Sequence, residues 1–345
     1  MSHIEWKTTE IRPFYLKVGK TASPFPRYAS FNLHNWERVD PLKPVELGNT
    51  RRAMNFLGGM DEEWFSAVHV AIEARSGVAV VDAADAQRLG AGPLDSEAAR
   101  RALAAKLDKT AESIRACVAI LERMGERCEI PSASQKNKKR TYAPSLSSAS
   151  SFLGDPYIYH MRVRTFMQGW TADGFAEAGL TYEGAGRVER FFGETGAQST
   201  VVPAIDAALG IGMSEDALLP YLLAMRSYMP PAHAAFVAAL ERGPRLRDAV
   251  VATRDATLVA SYDAAVAALV AFRKLHFELA YTYVRQWDKR PDDEIKGTGG
   301  TPFMPYLKKH RRTTYETLIE KAADPAEEED HLATNGTAAV ASPSP

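Results

Sequence analysis

Cysteine is scarce in this sequence. The chain of 345 residues contains Cys117 and Cys128 and no CxxC pair. Small domains held together by disulfides need more cysteines than this, and structural zinc sites are built from closely spaced cysteine or histidine pairs. The sequence therefore predicts neither a disulfide framework nor a zinc site.

A surplus of either charge is also lacking. The 42 Lys and Arg residues nearly balance the 43 Asp and Glu residues, which gives a formal net charge of −1. A protein that follows a nucleic acid backbone or binds an anionic membrane surface usually carries a basic surplus. We therefore expect no nucleic acid partner and no membrane partner.

Long apolar runs are lacking too. The first residues, MSHIEWKTTEIRPFYLK, contain no apolar core of a signal sequence, and no later run reaches the length of a membrane-spanning helix. We therefore expect a cytoplasmic protein.

Strand-like alternation of apolar and polar residues is absent over any useful length, whereas helical spacing recurs throughout the chain. The sequence predicts an all-α fold with one helical domain over residues 31–321. Residues 1–30 are predicted to be an extended arm, through which the chain could form a homo-oligomer. Residues 131–152 are predicted to be an inserted exposed loop, and residues 322–345 a disordered tail.

The most informative stretch runs from Leu258 to Thr301. Its apolar residues recur at steps of three and four and form one helical stripe that includes His276. A buried histidine bonded to a backbone carbonyl would be the ordinary explanation. The sequence Gly-Thr-Gly-Gly-Thr follows, starting 21 residues after His276, and such a loop can close over a ligand.

Two further helices carry polar side chains among apolar ones. Asp61 is predicted to cap a helix on which Phe65 and His69 share one face, which makes a second buried histidine possible. A later helix places Arg164 among aromatic residues, where a buried guanidinium would need an anionic partner.

Several stretches, taken in order, resemble the indoleamine 2,3-dioxygenase family of haem enzymes. The resemblance covers roughly residues 28–320. It rests on Asn35-Trp36 with the turns Asp40-Pro41 and Lys43-Pro44, Arg164 before Gly169-Trp170, the run from Gly179 to Gly184, Ala197-Gln198-Ser199 ahead of Asp206, the MRSYMPPAH run ending at His233, Phe272-Arg273 before His276, and GTGGT from Gly297.

This resemblance implies a bundle of helices around haem b, with His276 as the iron ligand and O2 as co-substrate. It implies that Arg273 and Asp206 support the haem side of the pocket, together with Ser199, Gly297 and Gly299 as further cofactor-binding residues. Arg164 would bind the carboxylate of an aromatic amino acid or indole substrate. Thr298 would contact the substrate ammonium or a haem propionate.

The remaining pocket positions depart from the family pattern. The resemblance places His69 as the catalytic residue opposite the iron ligand, where animal members have a serine, and it keeps an aromatic residue at Phe65. Tyr159 and His160 replace paired phenylalanines at the substrate. The run 193–196, which ends in the substrate-binding Gly196, reads Gly-Glu-Thr-Gly in place of Gly-Gly-Ser-Ala.

The leading hypothesis is a haem-dependent dioxygenase that opens the indole C2–C3 bond of tryptophan or a derivative and gives an N-formylkynurenine-type product. Tyr159, His160 and Glu194 keep open a haem monooxygenase or rearrangement enzyme acting on an indole or another aromatic amino acid. A haem or gas sensor without turnover is a third hypothesis, and a helical protein without haem is the fourth.

Overall fold

Long helices dominate the computed structural model, which describes residues 27–127, 159–169, 179–181, 188–212 and 218–321. The predicted all-α fold is confirmed. The α-helices of the described residues are α1 (Met60–Gly90), α2 (Glu97–Glu122), α3 (Arg164–Met167), α4 (Val201–Leu209), α5 (Leu219–Met225), α6 (Pro231–Glu241), α7 (Leu246–Thr253), α8 (Ala256–Tyr283) and α9 (Phe303–Glu316).

Two small antiparallel ribbons accompany the helices, although the sequence predicted no strands. One pairs β1 (Trp36–Arg38) with β2 (Thr50–Arg52), and the other pairs β3 (Leu180–Thr181) with β4 (Val188–Glu189). Strands of two or three residues are too short to show a periodic pattern. Short π-helices at Ala29–Leu33 and Tyr159–Val163, with 3-10 turns at Arg123–Glu126, Gly196–Gln198, Arg226–Tyr228 and Arg285–Trp287, complete the described elements.

The core lies between the three longest helices. Helix α2 packs against both α1 and α8, while α4 packs on α1 and α9 packs on α8. A buried hydrogen bond joins α8 to α4 across this core: the Tyr262 hydroxyl donates to the Leu209 carbonyl at 2.6 Å. The apolar residues that fill the core include Leu103, Leu107, Ile114, Ile205, Leu246, Val250, Leu258, Val266 and Leu269.

The start of α1 differs from the prediction that Asp61 is its cap. The helix begins at Met60 after Gly59, whose φ of 128° strongly favours glycine, and no side chain caps it there. Glu62 instead turns back along the chain, and its carboxylate accepts the backbone N–H groups of Phe56, Leu57 and Gly58 at 2.7 to 3.1 Å. Glu62 therefore holds the loop that precedes α1.

The predicted stripe on α8 is buried along its first half and again at Tyr283, but not at His276. Leu258, Tyr262 and Leu269 are buried, Phe272 is partly buried, and His276 is solvent-accessible. The prediction of a buried imidazole is wrong in this respect. The sequence predicted no run of membrane-spanning length, but residues Ala256–Trp287 form a helix that could cross a membrane by length and composition, and half of its most apolar stretch is buried inside the protein.

The predicted arm and loops fall mostly outside the described residues. Residues 1–26, the inserted loop 131–152 and the tail 322–345 are not described, so a homo-oligomer formed through the arm stays a prediction. The described end of the arm is not extended, because Tyr28 enters the helical turn Ala29–Leu33.

Candidate active site

His276 lies on α8 with its side chain accessible, but it is surrounded closely enough by protein to remain uncharged. Burial lowers its pKa to about 4, and the nearby His69 and Arg273 lower it further by electrostatic repulsion. The imidazole is therefore neutral at pH 7, as a metal ligand must be. The ring is thus accessible to solvent although many protein atoms surround it.

An ion pair supports the helix turn before His276. Arg273 donates to Asp206 Oδ2 at 2.6 Å, which joins α8 to α4. The same guanidinium also donates to the carbonyl of His310 at 3.2 Å and to the hydroxyl of Thr314, both on α9. Asp206 Oδ1 is buried and has no hydrogen-bond partner among the described residues. The predicted pair thus exists and retains one free acceptor.

His69 on α1 lies close enough to His276 for its positive charge to lower the His276 pKa. Its Nδ1 lies 2.7 Å from the Phe65 carbonyl. A carbonyl can only accept, so Nδ1 must carry the proton and Nε2 is left as an acceptor. Burial lowers the pKa of His69 and keeps this tautomer neutral.

Aromatic rings line the space beside His69. The Phe65 ring lies 4.2 Å from the His69 ring and 4.9 Å from the ring of Tyr159, which also meets Tyr283 edge-on at 6.1 Å. Tyr28 approaches His69 edge-on at 6.5 Å. The residues predicted for the substrate ring, Phe65 and Tyr159, therefore come together from α1 and the π-helix Tyr159–Val163.

Arg164 is buried at 8% exposure and points toward the stretch that precedes the glycine-rich loop. It donates to the backbone carbonyl of Lys296, and no carboxylate of the described residues forms an ion pair with it. Burial lowers its pKa, which the charge of Asp288 partly opposes. His160 lies nearby on the preceding turn, where its Nδ1 is buried without a partner among the described residues. The prediction that Arg164 would have a carboxylate partner is therefore not met by the described chain.

The glycine-rich loop 297–301 is closed by its own backbone. The N–H of Gly297 donates to the Thr301 carbonyl at 2.8 Å. A Cβ at Gly299 would overlap the Tyr221 hydroxyl, so only glycine fits there. The Thr298 hydroxyl donates to the Glu194 carbonyl at 2.6 Å. In this conformation the Thr298 oxygen can only accept a further hydrogen bond, which suits an ammonium group better than a propionate.

Two other predicted contacts are placed differently. The Ser199 hydroxyl donates to Glu73 Oε1 at 2.6 Å, so its proton is directed away from any cofactor. Gly196 is exposed at the start of a 3-10 turn, and no atom lies within 4 Å of the position that a Cβ would take. The roles predicted for Ser199 and Gly196 stay predictions.

Sequence reasoning missed the carboxylate of Glu73, which lies one turn after His69. It accepts the Tyr28 hydroxyl at 2.7 Å as well as the Ser199 hydroxyl, and its burial raises its pKa. The signal was present as a glutamate four residues after a helical histidine, on the same face of α1.

The residues of this pocket fit a haem. A haem iron needs one axial nitrogen, and His276 offers a neutral imidazole backed by the Arg273–Asp206 pair. The described residues contain no group of three or more His, Cys, Asp or Glu side chains arranged to hold a metal ion, so a single axial ligand is the arrangement that they offer. His276 would hold the iron, and the free Oδ1 of Asp206 is a polar atom available on the same side.

Comparisons with known proteins point to one family. The family model described as indoleamine 2,3-dioxygenase matches residues 16–132 and 151–317. The chain is 27% identical to indoleamine 2,3-dioxygenase 1 of Rattus norvegicus over 312 residues, which covers 86% of this chain and 69% of the relative. It is 29% identical to the indoleamine 2,3-dioxygenase acdA of Aspergillus candidus, over 87% of this chain and 71% of the relative.

A third relative has a different name. Over 165 residues the chain is 32% identical to a myoglobin of Haliotis madaka, which covers 46% of this chain and 43% of that protein. The family match over most of the length, together with the paired histidines and the buried arginine, identifies the chain: it belongs to the indoleamine 2,3-dioxygenase family of haem-dependent enzymes.

Proposed function

We propose that the protein uses haem b to insert both atoms of O2 across the indole C2–C3 bond of tryptophan or a tryptophan derivative. The product is of the N-formylkynurenine type. The haem, when bound to His276, supplies the iron that binds and activates O2. The protein binds the substrate, orients its indole ring and excludes water.

The observation that carries this proposal is the buried Arg164 guanidinium. A buried charge without an anionic partner is costly, and the described residues supply no carboxylate ion pair for it. The carboxylate of an amino acid substrate would provide the missing partner through two parallel hydrogen bonds. This requirement favours an amino acid over a simple indole.

Two further groups match the same substrate. The Thr298 oxygen, whose proton is directed to the Glu194 carbonyl, can accept a hydrogen bond from the substrate ammonium. The Nε2 atom of His69 is an acceptor because Nδ1 donates to the Phe65 carbonyl, and an indole N–H can donate to it. The rings of Phe65 and Tyr159 would pack against the indole.

The proposal is tested with reduced, haem-reconstituted protein, tryptophan and isotopically labelled O2. We expect a product that carries two labelled oxygen atoms. Replacing Arg164 by leucine should raise the KM for tryptophan by about 100-fold, because the carboxylate loses a charge-assisted pair. Arg164→Lys, which keeps the charge without the planar fork, should recover only part of this loss.

A panel of substituted tryptophans and other aromatic amino acids completes this experiment. If the protein bound haem and consumed O2 but gave no product with two added oxygens from any of them, dioxygenation would be wrong. An Arg164→Leu variant with an unchanged KM would contradict the assignment of the carboxylate site.

The second candidate function is monooxygenation of an indole or another aromatic amino acid. It is favoured by the buried Nδ1 of His160, which has no partner among the described residues and could bind a hydroxyl or amide of a more polar substrate. The same labelled O2 experiment, run with an added two-electron reductant, separates the two candidates, because a monooxygenase product carries one labelled oxygen while the other leaves as water. Replacing Tyr159 and His160 by phenylalanine would test whether these residues select the outcome.

The third candidate is a protein that binds haem and O2 without turnover, and its support is the similarity to a relative named myoglobin. Such a protein would bind O2 reversibly, and tryptophan would leave its absorption spectrum unchanged. The buried Arg164 favours an enzyme over this candidate, since a store of O2 has no use for a carboxylate site.

A further inference from the structure

Glu194 is a buried acidic residue in a turn that lies against the glycine-rich loop 297–301. It is 6% exposed and stands between Gly193 and Thr195. It is a departure from the family pattern, which has glycine in the second position of the run 193–196. The proposed substrate contacts do not use its side chain.

On one side, the Glu194 carboxyl group contacts the N-terminal part of the described chain. Asn32, which is 1% exposed, donates from Nδ2 to Glu194 Oε1 at 2.8 Å. The positive charge of Arg52 lies close enough to stabilise the carboxylate. Arg52 is itself held by Glu62 at 3.7 Å and lies 4.1 Å from the centre of the Phe31 ring. The acidic side chain is therefore fixed by residues more than 130 positions away.

On the other side, the backbone of Glu194 joins two segments of the pocket. Its N–H donates to the Met167 carbonyl at 2.9 Å, three residues after Arg164. Its carbonyl accepts the Thr298 hydroxyl at 2.6 Å. The fit is tight, because a Cβ at the neighbouring Gly193 would overlap the Thr298 carbonyl. A shift of Glu194 would thus be transmitted directly to Thr298.

The same loop is also joined to the carboxylate site. Arg164 donates to the carbonyl of Lys296, two residues before Thr298. Asn32, Glu194, Thr298 and Arg164 therefore form a connected set of contacts from the N-terminal segment to the two residues proposed to hold the substrate's charged groups.

Burying a carboxyl group costs desolvation free energy. An apolar side chain at this position would avoid the cost of removing a charge from water. The group also leaves Asn32 Oδ1 buried without a partner among the described residues. The carboxyl group does provide a directed hydrogen bond with Asn32, and this bond lies on the turn whose backbone binds Thr298.

We propose that Glu194 is a positioning residue that, through its contact with Asn32, holds the loop 297–301 in the conformation that binds the substrate. The kinetic part of this inference rests on the proposed function. Its conformational part concerns the chain alone and can be measured without turnover.

The test compares Glu194→Ala, which removes the contact, with Glu194→Gln, which keeps an acceptor for Asn32 without the charge. Hydrogen–deuterium exchange of peptides spanning residues 296–301 should be about tenfold faster in Glu194→Ala, because the loop opens more often. In Glu194→Gln it should remain close to that of the parent protein. Tyr262→Phe, which removes a buried hydrogen bond in the core, is the matched control and should leave exchange in this loop unchanged.

Steady-state kinetics provide a readout that general loss of stability would not give. In Glu194→Ala we expect the KM for the amino acid substrate to rise about tenfold while kcat changes less than about twofold, with rescue by Glu194→Gln. If Glu194→Ala folds and shows neither faster exchange of the loop nor a higher KM, the inference is wrong. It is also wrong if kcat falls and KM does not change.

Asn32→Ala decides the matter if Glu194→Ala fails to fold, because it breaks the same contact from the other side. It should accelerate exchange of residues 296–301 in the same direction, and unchanged exchange would overturn the inference. Failure of the proposed function would appear separately, as a parent protein that yields no oxygenated product. The exchange experiment would still show whether the contact between Asn32 and Glu194 holds the loop 297–301 in place.

Discussion

At the scale of single residues, the proposed chemistry depends on two neutral histidines that lie near each other. His276 is kept neutral by surrounding protein, which lowers its pKa to about 4, and His69 by burial. The hydrogen bond from His69 Nδ1 to the Phe65 carbonyl then fixes its tautomer. One ring is thus suited to bind a metal, and the other to accept a hydrogen bond from the substrate.

The tautomer of His69 leads to a prediction about substrate recognition. We expect the protein to bind tryptophan about tenfold more tightly than the analogue in which oxygen replaces the indole N–H, because the analogue cannot donate to Nε2. In His69→Phe this preference should disappear. Dissociation constants from substrate-induced absorbance changes measure it, and a preference that survives in His69→Phe would show that another group accepts the indole proton.

The pair formed by Asp206 and Arg273 gives a second prediction at this scale. Asp206→Ala leaves a largely buried guanidinium without its carboxylate, which should lower the free energy of unfolding by about 2–3 kcal/mol and weaken haem binding by about tenfold or more. Urea denaturation and haem titration measure the two effects. Glu37→Ala, which breaks an exposed ion pair with Arg51, is the control and should change neither by much.

At the scale of elements, His276 lies on an accessible turn between two buried parts of the apolar stripe of α8, residues 258–269 and Tyr283. The first half of α8 packs against α2 and the rest of the core, whereas the turn that carries His276 is accessible. The loop 297–301 then returns the chain to the pocket. Gly299 in this loop lies against the Tyr221 hydroxyl, whereas Gly196, in the turn before α4, has no atom near the position that a Cβ would take.

This difference between glycines predicts a contrast between two substitutions. Gly299→Ala places a methyl group on the Tyr221 hydroxyl and should displace the loop, raising the KM for the substrate by about tenfold or more. Gly196→Ala meets open space and has no positive φ, so its effect on protein stability should stay within about 0.5 kcal/mol. Kinetics and thermal denaturation of the two variants check the contrast. Equal effects on KM would mean that the contact with Tyr221 does not shape the loop.

At the scale of the whole molecule, buried ionisable groups connect segments that are far apart in the chain. The burial of Glu194 raises its pKa to about 7, while Arg52 and the hydrogen bond from Asn32 limit the rise. The charge of this carboxyl group also contributes to raising the pKa values of Tyr28 and Tyr221. The proton on Glu194 is therefore part of the stability of the fold.

The sign of the resulting pH dependence follows from linkage. The folded chain holds the Glu194 proton more tightly than the unfolded chain, whose pKa is 4.5, so this contribution to stability is complete below pH 4.5 and lost as the pH rises to about 7. The loss is on the order of 3 kcal/mol. Glu194→Gln should abolish it, so the variant gains stability relative to the parent protein as the pH rises through this range.

Urea denaturation at a series of pH values from 4.5 to 8 measures this difference. Comparing the two proteins cancels the contributions of other groups, such as Glu73. A difference in unfolding free energy that stays constant across the range would show that Glu194 is ionised in the folded protein throughout.

Much of the fold and part of the site could be predicted from the sequence. Helical spacing correctly predicted an all-α fold, and the order of motifs correctly identified the family. The caps and ribbons were less predictable, because Glu62 caps backbone groups that precede its helix and the strands of the ribbons span two or three residues. Asn32 was missed because nothing in a local pattern shows that a polar residue will meet a partner more than a hundred positions away. The spacing of Glu73 from His69 indicated a shared helix face, but it could not show the partners Tyr28 and Ser199.

The sequence by itself determined which residues this protein has for its chemistry: a histidine on an apolar helical stripe, an arginine among aromatic residues and a glycine-rich loop. These features depend on local spacing, which is encoded over a few turns of helix. Only the tertiary structure decided that His276 is accessible and neutral, that Arg164 is buried without a carboxylate ion pair from the described chain, and that Thr298 is held by Glu194. Accessibility, desolvation and long-range hydrogen bonds arise when distant segments pack together, and that packing is not visible in any single stretch of sequence.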